Sequence, residues 1–143
     1  MTKPDNILTI AADPKNLETV TAFINRQAEL TGTPENIGPK LELVIEELFL
    51  NIVNHANPKS KQDVEISCTR QKRVDNSGEM FCISTRDWGP DFNPLEKEKP
   101  LLEDNVDDRP IGGLGIFLVL QMADHCSYER QNDSNLFSAC FNL

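Results

Sequence analysis

Apolar residues recur along this chain with two different spacings, and each spacing predicts a different kind of element. A spacing of three or four residues predicts amphipathic helices at 17–28 and at 39–55. Alternation of apolar and polar residues over 64–68, followed by a second apolar-rich stretch over 80–85, predicts two strands joined as a hairpin by the turn residues between them. The pattern therefore mixes helices and strands within 143 residues.

Further segments complete the predicted order of elements. A short strand is expected at 7–10, a glycine-opened helix at 112–123, and two final strands at 127–131 and 135–141. The order β-α-α-β-β-α-β-β favours a mixed or antiparallel β-sheet with helices on one face, a two-layer α+β sandwich. No repeat or linker interrupts the chain, so we expect a single domain over residues 1–143.

The composition narrows the function classes. Hydrophobic residues make up 38% and charged residues 26% of the chain, which is typical of a folded domain. The net charge of -9 argues against general nucleic-acid binding, which needs a basic surface. No apolar run approaches the roughly 20 residues of a membrane-spanning helix, and the N-terminal residues lack the apolar region of a signal peptide. We therefore expect a cytoplasmic protein whose partners include neither nucleic acid nor membrane.

The four cysteines predict neither a metal site nor a disulfide. Cys68, Cys82, Cys126 and Cys140 form no Cys-x-x-Cys pair, and the two histidines are far apart in sequence. Each cysteine lies in an apolar-rich segment, and free cysteine is commonly buried. We therefore expect four free thiols.

A polar stripe runs along the second predicted helix. Glu47 and Asn51 are four residues apart and Asn54 follows three residues later, so these side chains lie close together on a helix that is otherwise mostly apolar. Burying such groups is costly unless something satisfies them. A hydrated Mg2+ and a nucleotide phosphate would do so. The alternative is a solvated helix edge, which Glu42 and Glu46 are expected to form.

Two glycine motifs follow. Asp87 ends the second strand of the hairpin, where its carboxylate could accept a hydrogen bond from a ligand amine, and Gly89 would let backbone approach that ligand closely. An ordinary Asp-x-Gly turn is the alternative. The glycines of 112–115 open the third helix and could aim backbone amides at a phosphate. Close helix packing is the alternative there.

The order of these three elements resembles the histidine-kinase-like ATPase superfamily. The motifs are Glu47-x-x-x-Asn51, Asp87-x-Gly89-Pro90-x-Phe92 and Arg109-Pro110-Ile111-Gly112-Gly113-Leu114-Gly115. They look like those of the anti-sigma factor serine/threonine kinases of bacterial partner switches, and the resemblance covers roughly residues 7–143. One departure is Asp91, which stands where the family often has the last glycine of Asp-x-Gly-x-Gly.

The resemblance implies a role for each motif residue. Asn51 would coordinate a Mg2+ that bridges the phosphates of ATP, and Glu47 would take the proton from an attacking serine hydroxyl. Asp87 would accept a hydrogen bond from the adenine amino group, and Gly89 would allow the base to come close. The residues that would contact the phosphates are Gly113, Leu114, Gly115 and Arg109.

The function implied is an ATP-dependent anti-sigma regulatory factor, a protein serine/threonine kinase using ATP and Mg2+. It would phosphorylate an anti-sigma factor antagonist protein and sequester a sigma factor or another effector; a homodimer is left open. One alternative is a nucleotide-dependent protein-binding module with little or no kinase activity, which Asp91 favours and Glu47 disfavours. Another is the catalytic domain of a two-component histidine kinase, but such kinases need a further helical segment with the phosphoacceptor histidine, for which we expect no room.

Overall fold

The order of elements predicted from the sequence is confirmed. The structure is a computed structural model that describes residues 6–55, 63–91, 93–96 and 113–143. Its strands and helices are, in chain order, β1 Ile7–Ala11, α1 Leu17–Leu30, α2 Gly38–His55, β2 Asp63–Lys72, β3 Glu79–Asp87, α3 Gly113–Met122, β4 His125–Gln131 and β5 Ser134–Asn142. Short 3-10 turns precede α1 and α2 and follow β3.

The five strands form one sheet in the order β1-β2-β3-β5-β4, and every neighbouring pair is antiparallel. The prediction of a mixed or antiparallel sheet is therefore confirmed in its antiparallel form. β3 lies at the centre, between β2 and β5. The pairing of β3 with β5 sets Asp87 directly opposite Asn135, which matters for the site described below.

The three helices pack on one face of the sheet, as the pattern predicted. Because successive residues of a strand point to opposite faces, only alternate positions of β2, β3 and β5 enter the core. The buried core residues of these strands are Val64, Ile66, Cys68, Phe81, Ile83, Phe137, Ala139 and Phe141. α2 supplies the centre of the helical layer, since Leu41, Ile45 and Phe49 are completely buried. No helix in the described part of the chain combines the length and the apolar character needed to cross a membrane.

The prediction of four free thiols is wrong. Cys82 and Cys140 face each other across β3 and β5, with their Cα atoms 4.1 Å apart, and form a disulfide. Fifty-eight residues separate them in sequence, so only the strand register brings them together. Cys68 and Cys126 are free, as predicted. Burial raises the pKa of the Cys68 thiol to about 12 and that of the Cys126 thiol to about 11.

Candidate functional site

A pocket opens between α2 and the adjoining parts of β3, β4 and β5. It holds about 420 Å³, part of which is open to solvent. Its apolar lining residues are Leu48, Ile52, Pro90, Pro94 and Phe137. Its polar lining residues are Asn51, His55, Thr85, Asp87, Tyr128 and Asn135. Apolar walls with a few convergent polar groups are typical of a site for a small organic ligand.

Asn51 is the one polar residue of α2 that the fold buries almost completely. Asn51 is only 8% exposed, whereas Asn54, one turn further along, is exposed. Its Oδ1 atom accepts no hydrogen bond from any part of the chain that the structure describes. A buried amide oxygen without a donor is costly, so such atoms call for a ligand, an ion or a water. Asn51 lines the pocket, where a cation could satisfy it.

Glu47 lies one helical turn before Asn51 and is half-buried, but it is not among the residues that line the pocket. Burial, and to a lesser degree the neighbouring charge of Glu46, raise the pKa of the Glu47 carboxyl above its ordinary value. Glu46 itself is exposed, as the predicted solvated edge requires. Glu47 is therefore a stronger base than an exposed glutamate, placed beside the pocket rather than in its wall.

Asp87 ends β3 with one carboxylate oxygen occupied and the other available. Oδ1 accepts hydrogen bonds from the Gly89 amide at 3.0 Å and from Asn135 Nδ2 at 3.1 Å. Oδ2 accepts none from the residues described here. Gly89 is buried, and a Cβ added to it would lie 3.0 Å from Asp87 Oδ1 and 3.5 Å from the His55 carbonyl oxygen. The glycine therefore allows the chain to pass close to the carboxylate. The Asp-x-Gly turn uses only Oδ1, so forming this turn does not prevent Oδ2 from accepting a further hydrogen bond.

Three side chains of the β4–β5 hairpin, which sequence reasoning missed, hold the segment that follows Asp87. We call Tyr128, Arg130 and Asn135 the hairpin clamp. Arg130 Nη1 donates to the Gly89 carbonyl at 2.9 Å, and Asn135 Nδ2 donates to the Pro90 carbonyl at 2.9 Å. A signal for Asn135 was present in the sequence, because it occupies a core-facing position in alternation with apolar residues of β5. The distant pairing that gives it a partner was not visible.

Asp91, the departure from the family pattern, is exposed and has a defined partner. Its Oδ1 atom lies 2.9 Å from the Tyr128 hydroxyl, which donates to it. The carboxylate is therefore directed toward the hairpin clamp.

The structure describes only part of the third motif, residues 109–115. α3 begins at Gly113, so Gly113, Leu114 and Gly115 form its first turn, in agreement with the predicted helix opening. Arg109 lies outside the described residues. No group of three or more His, Cys, Asp or Glu side chains that could hold a metal occurs within the described ranges. A cation at Asn51 would therefore need most of its ligands from elsewhere.

The comparison with known sequences identifies the domain type. The profile of the histidine kinase-like ATPase domain matches residues 10–141, nearly the whole chain. No sequence among the curated proteins matches the chain.

Two solved structures are similar at low sequence identity. A chain from the crystal structure of the SiaB-SiaC complex from Pseudomonas aeruginosa has a TM-score of 0.52 and 14% identity, over 97% of this chain and 92% of that one. The histidine kinase domain of the blue-light activated histidine kinase from Erythrobacter litoralis EL346 has a TM-score of 0.45 and 15% identity, over 94% of this chain and 62% of that one. The likeness to the SiaB-SiaC chain bears on the fold alone.

Proposed function

The chain belongs to the family of histidine kinase-like ATPase domains, and on that premise we propose that it is an ATP-binding regulator of a partner switch. In this proposal residues 1–143 act as one domain that binds MgATP in the pocket between α2 and the sheet. The domain phosphorylates a serine on an antagonist protein and sequesters a sigma factor or another effector. Cytoplasmic location is part of the same proposal.

The observation that carries the proposal is the buried Oδ1 atom of Asn51 at the pocket wall, which has no hydrogen-bond partner among the residues that the structure describes. Amide oxygens are ligands that Mg2+ accepts, and Mg2+ in nucleotide sites is held by few protein groups together with phosphates and waters. The lack of a metal cluster among the described residues fits a cation that arrives with the nucleotide rather than one resident in the protein. Mg2+ held by Asn51 would neutralise the charge of the phosphates.

We assign the binding of the adenine base, at the opposite end of the nucleotide from the phosphates, to Asp87. Its Oδ2 atom can accept a hydrogen bond from the 6-amino group of adenine, because the two donors that the described residues supply to this carboxylate both bond Oδ1. The apolar wall formed by Leu48, Ile52 and Phe137 would contact the faces or edges of the flat base. We assign to Gly89, by motif, the close approach of the backbone to the base. We assign the phosphates to Gly113, Leu114, Gly115 and Arg109 by motif.

Glu47 is proposed as the general base. Phosphoryl transfer depends mainly on positioning and charge neutralisation. The protein therefore needs to supply only one general base near the metal. The raised pKa of the Glu47 carboxyl brings it closer to the working pH, which favours proton acceptance from a serine hydroxyl. Its half-buried place beside the pocket leaves it accessible to a serine presented from outside.

A protein partner is proposed by analogy. The similar chain of the SiaB-SiaC complex was crystallised in a complex of two named proteins. We therefore expect this chain to bind an antagonist protein that brings the serine to Glu47. The effector that the chain sequesters would compete with that antagonist for binding to the chain, or would bind after the antagonist has left.

Calorimetric titration with ATP, with and without Mg2+, tests the nucleotide site. Asn51→Ala should abolish the Mg2+-dependent part of ATP affinity, because it removes the amide oxygen that meets the cation. Asn54→Ala is the matched control, since it makes the same substitution at an exposed position of the same helix. Equal effects of the two substitutions, or no effect of either, would contradict the assignment of Asn51.

The second candidate function is a nucleotide-dependent binding module without kinase activity. It is favoured by the observation that Glu47 does not line the pocket. Incubation with the antagonist and labelled MgATP separates the two functions: a kinase labels a serine, and Glu47→Gln lowers the rate by roughly 100- to 10,000-fold. Glu42→Gln is the matched control, since Glu42 is exposed on the same helix and does not affect the pKa of Glu47, and it should keep the wild-type rate. If wild type binds ATP and antagonist but transfers no phosphate, the binding module is correct.

A further inference from the structure

Asp87 is held by a network rather than by a single contact. Its Oδ1 atom is bonded on one side by the Gly89 amide and on the other by the amide nitrogen of Asn135. Asn135 is 6% exposed and faces Asp87 across the pairing of β3 with β5. The carboxylate can therefore turn only by breaking a hydrogen bond to a buried side chain.

The orientation of the Asn135 amide is fixed by its surroundings. Nδ2 donates to Asp87 Oδ1 and to the Pro90 carbonyl, and neither of these oxygens can donate in return. Oδ1 lies 3.1 Å from Arg130 Nη1, which can only donate, and 2.6 Å from the Tyr128 hydroxyl. A flipped amide would set oxygen against oxygen on one side and an NH2 group against a guanidinium on the other. The Asp87 carboxylate, the Pro90 carbonyl and Arg130 therefore specify one orientation, whereas the Tyr128 hydroxyl, with one proton and both Asp91 and Asn135 as neighbours, fits it without specifying it.

The hairpin clamp fixes the turn after Asp87 as well as the carboxylate. Arg130 bonds the Gly89 carbonyl, Asn135 bonds the Pro90 carbonyl, and Tyr128 bonds the carboxylate of Asp91. Successive residues of one turn are thus tied to one hairpin. A preorganised acceptor loses less entropy when a ligand binds, so a fixed Oδ2 atom favours a ligand that donates a hydrogen bond to it.

We propose that Asn135, oriented by Arg130 and the Pro90 carbonyl, is a positioning residue that aims the Oδ2 atom of Asp87 at the amino group of the base. Asn135 thereby sets the preference of the pocket for adenine over purines that lack this group. The proposal rests on the adenine role assigned above to Asp87. Asn135 acts through Asp87 and needs no contact with the nucleotide.

The test compares MgATP with the magnesium complex of purine riboside triphosphate, which lacks only the 6-amino group. Wild type should bind MgATP roughly 10- to 150-fold more tightly, the range expected for one hydrogen bond to a charged acceptor. Asn135→Asp keeps the size of the side chain and an oxygen for Arg130 but removes the donor to Asp87. Asn135→Ala removes the whole side-chain amide. In both variants the preference should fall to about threefold or less, while affinity for the analogue changes by no more than about twofold.

A control on the same two strands separates positioning from general damage. Ser138→Ala breaks the 2.8 Å contact with Ser84, which joins β3 to β5 on the opposite face of the sheet. It should leave the preference for ATP unchanged. Equal loss of affinity for ATP and the analogue in the Asn135 variants would show a purely structural role and overturn the proposal. Full retention of the preference would overturn it too.

The same titrations distinguish failure of this inference from failure of the proposed function. If wild type binds neither nucleotide, the nucleotide site itself is wrong, and the Asn135 inference fails with it. If wild type binds both equally, the adenine role of Asp87 is wrong. If wild type prefers ATP and the Asn135 variants keep that preference, only the positioning role is refuted.

Discussion

Gly89→Ala tests the close approach between the Asp-x-Gly turn and the Asp87 carboxylate. The added Cβ would lie 3.0 Å from Asp87 Oδ1, so the carboxylate must move by a few tenths of an ångström. That shift lengthens the hydrogen bonds that Oδ1 receives at 3.0 and 3.1 Å. Loss of one hydrogen bond to a charged group costs about 1.5–3 kcal/mol. The lower chain entropy of the unfolded alanine variant offsets about 0.4–1 kcal/mol.

The net destabilisation should therefore be about 1–2 kcal/mol. For a chain of 143 residues the unfolding entropy near the midpoint is about 0.3 kcal/mol/K, so the melting temperature should fall by about 3–7 °C. Differential scanning calorimetry measures this shift. We also expect weaker ATP binding, because the displaced carboxylate no longer meets the base.

Gly38→Ala is the matched control. A Cβ at Gly38 meets no atom within 4 Å, and the residue begins α2, where alanine is a better helix former. Its melting temperature should stay the same or rise. If Gly89→Ala melts no lower than Gly38→Ala and binds ATP normally, the carboxylate is not held as described.

Three further predictions concern the cysteines and the carboxylate beside the pocket. Thiol titration of the unfolded, unreduced protein should find two thiols because of the disulfide between Cys82 and Cys140; four would refute the disulfide. In the folded protein at pH 8, Cys126 should react slowly, because a pKa of about 11 leaves it far less thiolate than an ordinary cysteine. Glu47→Gln should leave the melting temperature at pH 7 unchanged or higher. The raised pKa of Glu47 means that the ionised carboxyl destabilises the folded state, and the substitution removes this charge. In the wild type the same destabilisation disappears as the pH falls through the raised pKa and the carboxyl becomes protonated. Glu42→Gln, at an exposed position of the same helix, is the control, and a lower melting temperature for Glu47→Gln alone would refute this reasoning.

Local patterns in the sequence were sufficient to predict the layers of the fold. Alternation over β2 and the helical period of α2 depend on neighbouring residues, and they predicted the order of elements and the burial on one face. The same local reasoning singled out Asn51 as a polar residue on an apolar helix and Asp87 as a carboxylate at a strand end. The structure brings both into one pocket.

What the sequence could not predict depends on register between distant strands. Asn135 meets Asp87, and Cys82 meets Cys140, only because β3 pairs with β5 in one particular alignment. A shift of one residue would send each of these side chains to the opposite face. No local spacing encodes that alignment. The one indication in the sequence that Asn135 has a special role was that it is a polar residue at a core-facing position of β5.

The central claim is that Asp87 reads the base of ATP, and Asp87→Asn tests it most directly. The Gly89 amide and the Asn135 amide nitrogen both require an oxygen at the Oδ1 position. The new amide should therefore keep its oxygen there and place its NH2 group where Oδ2 was, facing the amino group of adenine with a second donor. Calorimetry of the folded variant should show MgATP binding weakened by roughly 100-fold or more. Wild-type affinity in the folded Asp87→Asn variant would contradict the account.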